Sequence, residues 1–193
     1  MFRSTIVRKG PGLAIVLVLA ALLAPAAAHA RPATAAGVCA DTALKPTRGN
    51  LDAVRDAVLC LHNKERARHG LPLLRENPRL RRAAAGHSEH MVSRRFFDHI
   101  SPGGATMVDR IRRTGYTSGA RAWSLGENIA WGSGSLATAA QIHRSWMRSS
   151  GHRANILQRA FREIGIGIET GLPVRLSAAQ SGATYTTDFG YRR

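Results

Sequence analysis

The spacing of hydrophobic positions changes along the chain from a helical period to a strand-like one. Between Leu51 and Leu61 apolar residues recur every three or four positions, which predicts a first helix that ends at Gly70. Asn77-Pro78 is a helix cap followed by a proline at the first helical position, and it begins a second predicted helix. Shorter helices are predicted over residues 107–113, 136–148 and 151–157.

The later part of the chain alternates with a period of two. Ile164–Ile168, Val174–Leu176 and Tyr185–Gly190 are predicted strands separated by glycine and proline turns. The segment Gly126–Gly132 is too short and too bounded by glycine to predict a helix. Because the helices precede the strands, we predict an α+β fold with an antiparallel sheet covered by helices.

The first thirty residues have the composition of an export signal. Positive charges at the amino terminus, on Arg3, Arg8 and Lys9, are followed by an apolar run of 16 residues, Leu13–Ala28, without a charge. Ala28-His29-Ala30 places small residues at the two positions that a signal peptidase reads. The run is shorter than the about 20 residues that cross a membrane. We predict that residues 1–30 are cleaved and that the protein is secreted to the extracellular space, with no integral membrane span after cleavage.

The remaining 163 residues have the length of one domain. Residues 31–50 show no sustained period and are predicted to be an extended arm, whereas residues 51–193 form the domain proper. The whole chain carries a net charge of +16, of which +13 remains after the leader is removed. This charge fits attraction to anionic cell-wall polymers or lipid headgroups. The arginines are dispersed and are not interleaved with aromatic residues, so we expect no nucleic-acid binding.

The chain has two cysteines, Cys39 and Cys60. An exported protein meets oxidising conditions, so a disulfide is favoured over two free thiols or a metal site. The bond would close a loop of about 20 residues, worth about 3 kcal/mol in the chain-entropy model. It would tie the arm to the first helix.

Three histidines and one glutamate lie where chemistry is plausible, namely His87, His99, His152 and Glu127. Imidazole nitrogen and carboxylate oxygen suit a divalent metal such as zinc, and two histidines with one glutamate form a known catalytic zinc set. The spacing alone leaves open whether these side chains meet.

Each of the other candidates has a simpler structural interpretation. His87 lies on the apolar face of the second helix, which is more typical of a hydrogen-bonded cleft or core histidine than of a metal ligand. His90 lies off that apolar stripe, so a His87–His90 metal pair is disfavoured. Ser88 lacks the glycine-flanked elbow of a serine nucleophile. Asp188 is consistent either with pairing at a strand end or with a place in the cleft.

Five segments occur in an order that resembles the CAP superfamily, which contains cysteine-rich secretory proteins, antigen five and plant pathogenesis-related proteins. The closest likeness is to its short bacterial branch, and it covers about Val54 to Tyr191. The segments are residues 87–91, 97–102, 126–130, 146–157 and 185–190.

The resemblance implies an α-β-α sandwich whose central cleft brings together two histidines and two glutamates that can hold a divalent metal. By motif, His99, Glu127 and His152 match three of these four residues. The fourth position falls on Ser149. The remaining His₂Glu set would suit zinc better than calcium.

The resemblance also implies a function. We expect a secreted binding module that engages a lipid, a cell-wall polymer or a host component. The alternative is a metal-dependent hydrolase or peptidase that activates water on a metal held by His99, Glu127 and His152, which are then the candidate catalytic residues. Binding is favoured because the missing fourth carboxylate leaves no evident base, and enzymatic activity stays open.

Overall fold

The computed structural model describes residues 3–9, 38–176 and 181–193. Most of the predicted leader, from residue 10 to residue 30, and the first part of the predicted arm lie outside these ranges. The helices are α1 (Leu51–Arg68), α2 (Pro78–Arg94), α3 (Met107–Arg113), α4 (Ala139–Arg148) and α5 (Ser150–Ile156). The strands are β1 (Arg3–Lys9), β2 (Arg75–Glu76), β3 (Trp123–Ser133), β4 (Glu163–Thr170) and β5 (Gly182–Arg192).

The five strands form one sheet in the order β1-β3-β5-β4-β2. All neighbours are antiparallel except β2 and β4, which are parallel. Apolar residues of α1 and α4 pack with the sheet in one core cluster, around the buried Trp146 and Phe189. Residues of α2 and α3 pack in a second cluster around Leu80 and Leu125. The predicted α+β class and the sandwich of helices around a sheet are therefore confirmed.

The helix boundaries follow the capping chemistry of the sequence. The Asn77 side chain accepts hydrogen bonds from the backbone N–H groups of Arg79 and Leu80, which fixes the start of α2 as predicted. The predicted fourth helix begins later than expected, at Ala139. Gly134–Ala137 instead forms a 3-10 turn, and Thr138 provides the cap by accepting from the Gln141 N–H.

Two predictions about the strands are wrong, namely that the strands follow the helices and that Val174–Leu176 forms a strand. β3 lies between α3 and α4, so the strands do not all follow the helices. Val174–Leu176 forms no strand, because β4 ends at Thr170 and Gly171 turns the chain away with a φ of 117°. The sequence pattern predicts neither β1 nor β2. The sheet is thus assembled from both ends and the middle of the chain.

The predicted disulfide is confirmed. Cys39 and Cys60 are bonded, with their Cα atoms 5.7 Å apart. The described part of the arm also contacts the fold beyond the bond, since Leu44 packs against the first core cluster and the Thr42 carbonyl accepts from the Ala140 N–H. The arm is therefore attached to both α1 and the start of α4.

The approach of α2 to the sheet depends on two glycines of β4. Gly165 and Gly167 face α2, whereas the alternate residues Ile164 and Ile166 face the first core cluster. A β-carbon on Gly167 would overlap the backbone of Ala84 in α2. The absence of side chains at these positions therefore sets how closely the helix can lie on the sheet.

We expect Gly167→Ala to lower the free energy of unfolding by about 2–3 kcal/mol, because the added methyl group must displace helix backbone. Gly86→Ala is the matched control. Gly86 lies within α2 with no atom near its missing β-carbon, so alanine should raise stability by up to about 1 kcal/mol through helix propensity. Urea unfolding followed by tryptophan fluorescence measures both changes. Equal effects of the two substitutions would contradict this account.

Candidate functional site

A buried carboxylate occupies the centre of the sheet. Glu127 is a β3 residue that faces α2 and α3, and its side chain is fully buried. His99 Nδ1 lies 2.7 Å from Glu127 Oε1, and Arg110 Nη2 lies 2.6 Å from Glu127 Oε2. Since a carboxylate only accepts hydrogen bonds, His99 donates from Nδ1. Both oxygens of Glu127 therefore face a donor on another element.

Arg110 connects three elements through one guanidinium group. Besides Glu127 on β3, its Nη1 donates to the carbonyl oxygens of His99, at 2.8 Å, and Ala105, at 3.1 Å. α3 itself is started by a capping box in which Thr106 and Asp109 exchange hydrogen bonds. The loop that carries His99 and the helix that carries Arg110 are thereby held in one arrangement.

The electrostatic state of Glu127 is set by these partners. Burial by itself raises the pKa of this carboxyl. The hydrogen bond from His99 and the positive charge of Arg110 outweigh burial, and the pKa of Glu127 falls to about 2. Glu127 is therefore ionised at neutral pH and forms a buried ion pair with Arg110.

A second buried carboxyl lies beside the first and has the opposite behaviour. Asp188 on β5 stands directly opposite Glu127 in the strand register and is also fully buried. Burial, followed by the negative charge on Glu127, raises the pKa of Asp188 well above its ordinary value. Like charges directly opposite on neighbouring strands repel. Asp188 thus lies beside Glu127 in the cleft, and its raised pKa favours the neutral carboxylic acid.

His87 of α2 completes the cluster as a neutral imidazole. Its Nε2 lies 2.9 Å from the Asp98 carbonyl oxygen, so Nε2 carries the proton. Burial, the largest of several effects, lowers the pKa of His87 to about 4. The interpretation of His87 as a hydrogen-bonded cleft histidine is confirmed, and the hydrogen bond orients the loop that carries His99.

The structure brings His99 and Glu127 into hydrogen-bond contact and places His152 beside Ser149. His152 on α5 is buried, its Nδ1 lies 2.7 Å from Ser149 Oγ, and its carbonyl oxygen accepts from Asn128. Ser149 occupies the fourth position of the expected set. Here that residue contacts His152 itself.

The expected zinc set does not fit this arrangement. Both oxygens of Glu127 already accept hydrogen bonds, and Arg110 supplies a positive charge where a metal ion would have to bind. Over residues 3–9, 38–176 and 181–193, no group of three or more His, Cys, Asp or Glu side chains is arranged to hold a metal ion. Zinc binding by His99, Glu127 and His152 remains a prediction, and no step of the function is derived through it.

Ser88 also has a structural role. Its hydroxyl lies 3.1 Å from the Gly167 carbonyl oxygen and 2.9 Å from Thr186 Oγ1, all within the interface of α2 with the sheet. This placement agrees with the interpretation that Ser88 is not a nucleophile.

Sequence reasoning missed Arg110, the residue that joins the elements of the site. A signal for it exists in the third helix. Met107 and Ile111 define the buried face of α3, and Arg110 lies beside both on the helical wheel, at the border of the apolar stripe. A positively charged residue at the border of an apolar stripe indicates a negatively charged partner within the core or at its edge.

An open cavity of about 470 Å³ lies next to the cluster, between α2, α3 and the loop from residue 101 to residue 105. Its lining combines three arginines with mostly small residues, and we call it the basic cavity. Arg82 and Arg113 are exposed at its sides, and Arg110 forms part of its wall. His90 of α2 also lines it. The arrangement offers positive charge to an anionic ligand while Glu127 is covered by Arg110 and His99.

Comparison with known proteins agrees with the fold and the motifs. The model of CAP, the cysteine-rich secretory protein family, matches residues 59–173. The uncharacterized protein YkwD of Bacillus subtilis (strain 168) is 34% identical over 123 residues, which cover 63% of this chain and 45% of that protein. The uncharacterized membrane protein YlbC of the same strain is 31% identical over 112 residues, 58% of this chain and 30% of that protein. This chain thus spans less than half the length of the curated relatives it matches.

Two solved structures resemble the fold. One is an extracellular protein of Bacillus anthracis that contains an SCP domain, with a TM-score of 0.54 and 28% identity over 76% of this chain and 44% of that chain. The other is an outer surface protein of Borrelia burgdorferi, with a TM-score of 0.52 and 16% identity over 77% of this chain and 96% of that chain. At that identity the second likeness concerns the fold alone.

The two buried carboxyls should respond differently to neutral replacement. Glu127→Gln leaves the Arg110 guanidinium buried without its counter-charge, and we expect a loss of about 3–5 kcal/mol in the free energy of unfolding at pH 7. The raised pKa of Asp188 favours its neutral form, which asparagine resembles, so we expect no comparable loss for Asp188→Asn. Urea unfolding at pH 7 compares the pair. A larger loss for Asp188→Asn than for Glu127→Gln would contradict the assigned charges.

Each of two histidines should cost stability as the pH drops from about 6.5 to about 4. Burial lowers the pKa of His87 and of His143 in α4 to about 4, whereas an unfolded histidine titrates near 6.5. At these two positions the unfolded chain therefore binds more protons in this window, and their contribution, complete above pH 6.5, is lost on acidification. Asp188, whose pKa is raised, contributes with the opposite sign, so the test is a difference between proteins. Urea unfolding at pH 7.5 and pH 5 should show a change of stability for His87→Gln that is about 1–2 kcal/mol more favourable to the acidic sample than in the unsubstituted protein. An identical change of stability with pH in the two proteins would refute the assignment.

Proposed function

Because the chain belongs to the cysteine-rich secretory protein (CAP) family, we propose that it is an exported binding module that holds an anionic polymer of the cell wall. The observation that carries the proposal is the basic cavity between α2 and α3. Arg82, Arg113 and His90 line it, and Arg110 closes its inner side. A phosphate-rich polymer supplies the complementary charge in a repeating form.

The proposal that the protein is exported is supported by the predicted leader and by one similar protein of known structure. The sequence predicts cleavage after Ala30, and the Bacillus anthracis protein that shares the fold is described as extracellular. Across the part of the chain that is described, no helix is long and apolar enough to cross a membrane. A wall polymer is a ligand that such a protein would meet on its way out of the cell.

The shape of the cavity supports the retention of a polymer. The space is open rather than enclosed, so a chain can enter and leave along it, and its positive charges lie on two helices. Arg110 is held by Glu127 and two carbonyl groups, so the inner wall of the cavity does not have to be organised on binding, which lowers the ordering cost of association. Because the charge of Arg110 is paired with Glu127, the positive charge that a ligand meets comes mainly from the exposed Arg82 and Arg113.

The contacts around Glu127 favour binding over hydrolysis. A general base must reach a water molecule next to the substrate. Glu127 is buried and ionised, and both of its oxygens accept hydrogen bonds. His99 donates one of these hydrogen bonds from Nδ1. These two residues therefore act as the support that holds Arg110 and the loop after α2.

The proposal predicts saturable binding of the secreted protein to poly(glycerol phosphate), which weakens as salt is added because the contacts are between charges. Arg82→Gln combined with Arg113→Gln should weaken this binding about tenfold or more. Isothermal titration or fluorescence anisotropy measures the affinity. Vesicles that contain phosphatidylglycerol form the second arm and distinguish a lipid surface from a polymer.

The matched control is Arg148→Gln combined with Arg159→Gln. These two arginines are exposed and lie outside the cavity, so the change in net charge is the same. Equal weakening by both double substitutions would show that the overall charge, and not the cavity, determines binding. Binding to the vesicles but not to the polymer would overturn the proposed ligand.

A further inference from the structure

The amino-terminal strand β1 is the edge strand on one side of the sheet. β1 pairs with β3 in an antiparallel register over seven residues, from Arg3 opposite Ile129 to Lys9 opposite Trp123. The other edge of β3 is bonded to β5. β1 therefore covers a row of β3 backbone groups for which the sheet provides no other strand among the described residues.

The strand that covers this edge lies inside the segment that the sequence predicts to be removed. Cleavage after Ala30 takes β1 away together with the rest of the leader. The N–H and C=O groups of β3 that faced β1 then lose their partners, and such a row of groups is a template for pairing with another strand. The exported protein would thus differ from the whole chain at this edge.

The position of β1 defines a slot that is one strand wide. On one face of the sheet α5 packs against β1, where Asn155 Nδ2 lies 3.4 Å from the Thr5 carbonyl oxygen. On the other face Val7 packs against the second core cluster, which contains Met107 and Leu125. A strand bound at this edge would therefore contact α5 with one face and the second core cluster with the other.

The slot has room for larger side chains than those of β1. A cavity of about 400 Å³ separates β1 from the segment 98–108. Thr5 and Val7 line it from the strand side, and Ile100, Met107 and Val108 line it from the other. Half of the lining residues are apolar, and Asp98, the site residue His99 and Thr106 also line the cavity. Apolar side chains at two alternate positions of an occupant strand would fill it.

From this arrangement we propose that the exported protein binds an extended peptide segment of a partner protein by strand addition to the β3 edge. Main-chain hydrogen bonds to β3 supply the affinity, and aliphatic side chains at the positions of Thr5 and Val7 supply the specificity. The site lies on the opposite side of α3 from the basic cavity, so the proposal does not depend on the polymer ligand.

A second copy of this chain fits the edge less well than a single peptide. In an isologous pairing each β3 would carry its own α5 and its own segment 98–108 to the junction. The α5 helices and the 98–108 segments of both copies would then meet in the slot, where β1 is a single strand. A free extended segment brings no such flanks.

The test uses the protein recovered from the culture medium, with its amino terminus determined by mass spectrometry. The probe is a fluorescent, end-blocked heptapeptide with the sequence of residues 3–9. We expect saturable binding with a Kd below about 1 mM, and slower hydrogen exchange of β3 amides when peptide is present. A peptide with leucine in place of Val7 should bind at least about threefold more tightly, because it fills more of the cavity.

Two kinds of control test the geometry. Successive N–H groups of a strand point to opposite edges, so of two peptides N-methylated at either the odd or the even positions, only one should lose binding. Ile100→Ser in the protein should weaken binding about threefold or more, whereas Leu73→Ser, at a comparably exposed residue outside the slot, should leave it unchanged.

Several outcomes would overturn the proposal. These are recovery of the secreted protein with residues 3–9 still attached, equal loss of binding for both methylated peptides, and equal effects of Ile100→Ser and Leu73→Ser. Dimerisation through β3 that the peptide does not disrupt would assign the edge to a second copy instead. None of these results bears on the binding of poly(glycerol phosphate), so the two proposals can fail separately.

Discussion

The ion pair between Glu127 and Arg110 is the constraint around which this half of the structure is organised. A carboxylate in the middle of a sheet is costly unless it is paired and hydrogen-bonded on both oxygens. Its partners come from α3 and from the loop after α2. Because the pairing requires both segments at once, it determines where they lie on the sheet. The basic cavity and the slot along β1 are the spaces on either side of α3, so their shapes follow from the same pairing.

The same constraint sets the charge of the neighbouring groups. Two carboxyls in direct register cannot both be ionised in a buried site at little cost, and Arg110 forms its ion pair with Glu127. Burial and the negative charge on Glu127 therefore raise the pKa of Asp188 and favour its neutral form, while burial lowers the pKa of His87. The cluster as a whole holds a small net charge even though it contains four titratable residues and one arginine. That balance is what allows it to be buried.

The sequence predicts the elements whose signals are local and misses those that depend on partners. The Asn77-Pro78 cap and the 3.6-residue period place α1 and α2 correctly because they act within a few residues. β3 is buried on both faces over most of its length, so it shows no alternation and its glycines suggest a loop. Val174–Leu176 alternates but pairs with no strand among the described residues. In the site, the motifs identify His99 and Glu127. They do not predict the contact of His152 with Ser149 or that of Glu127 with Arg110, because both contacts depend on tertiary packing.

The predicted leader and the sheet edge place two different requirements on the same residues. A targeting segment must stay accessible to the export machinery, whereas in the whole chain the first residues of the predicted leader complete the sheet as β1. A single edge strand contributes few contacts to the core, since Val7 alone among its described side chains packs against a core cluster. The two core clusters and the Glu127–Arg110 pair are built mainly from other elements. The organising interaction therefore does not require contacts from β1, and the edge that β1 covers is flanked by α5 and the segment 98–108. Covering the flanks of an edge is one way in which proteins limit sheet-to-sheet pairing, and it leaves the backbone groups of the edge to an extended chain.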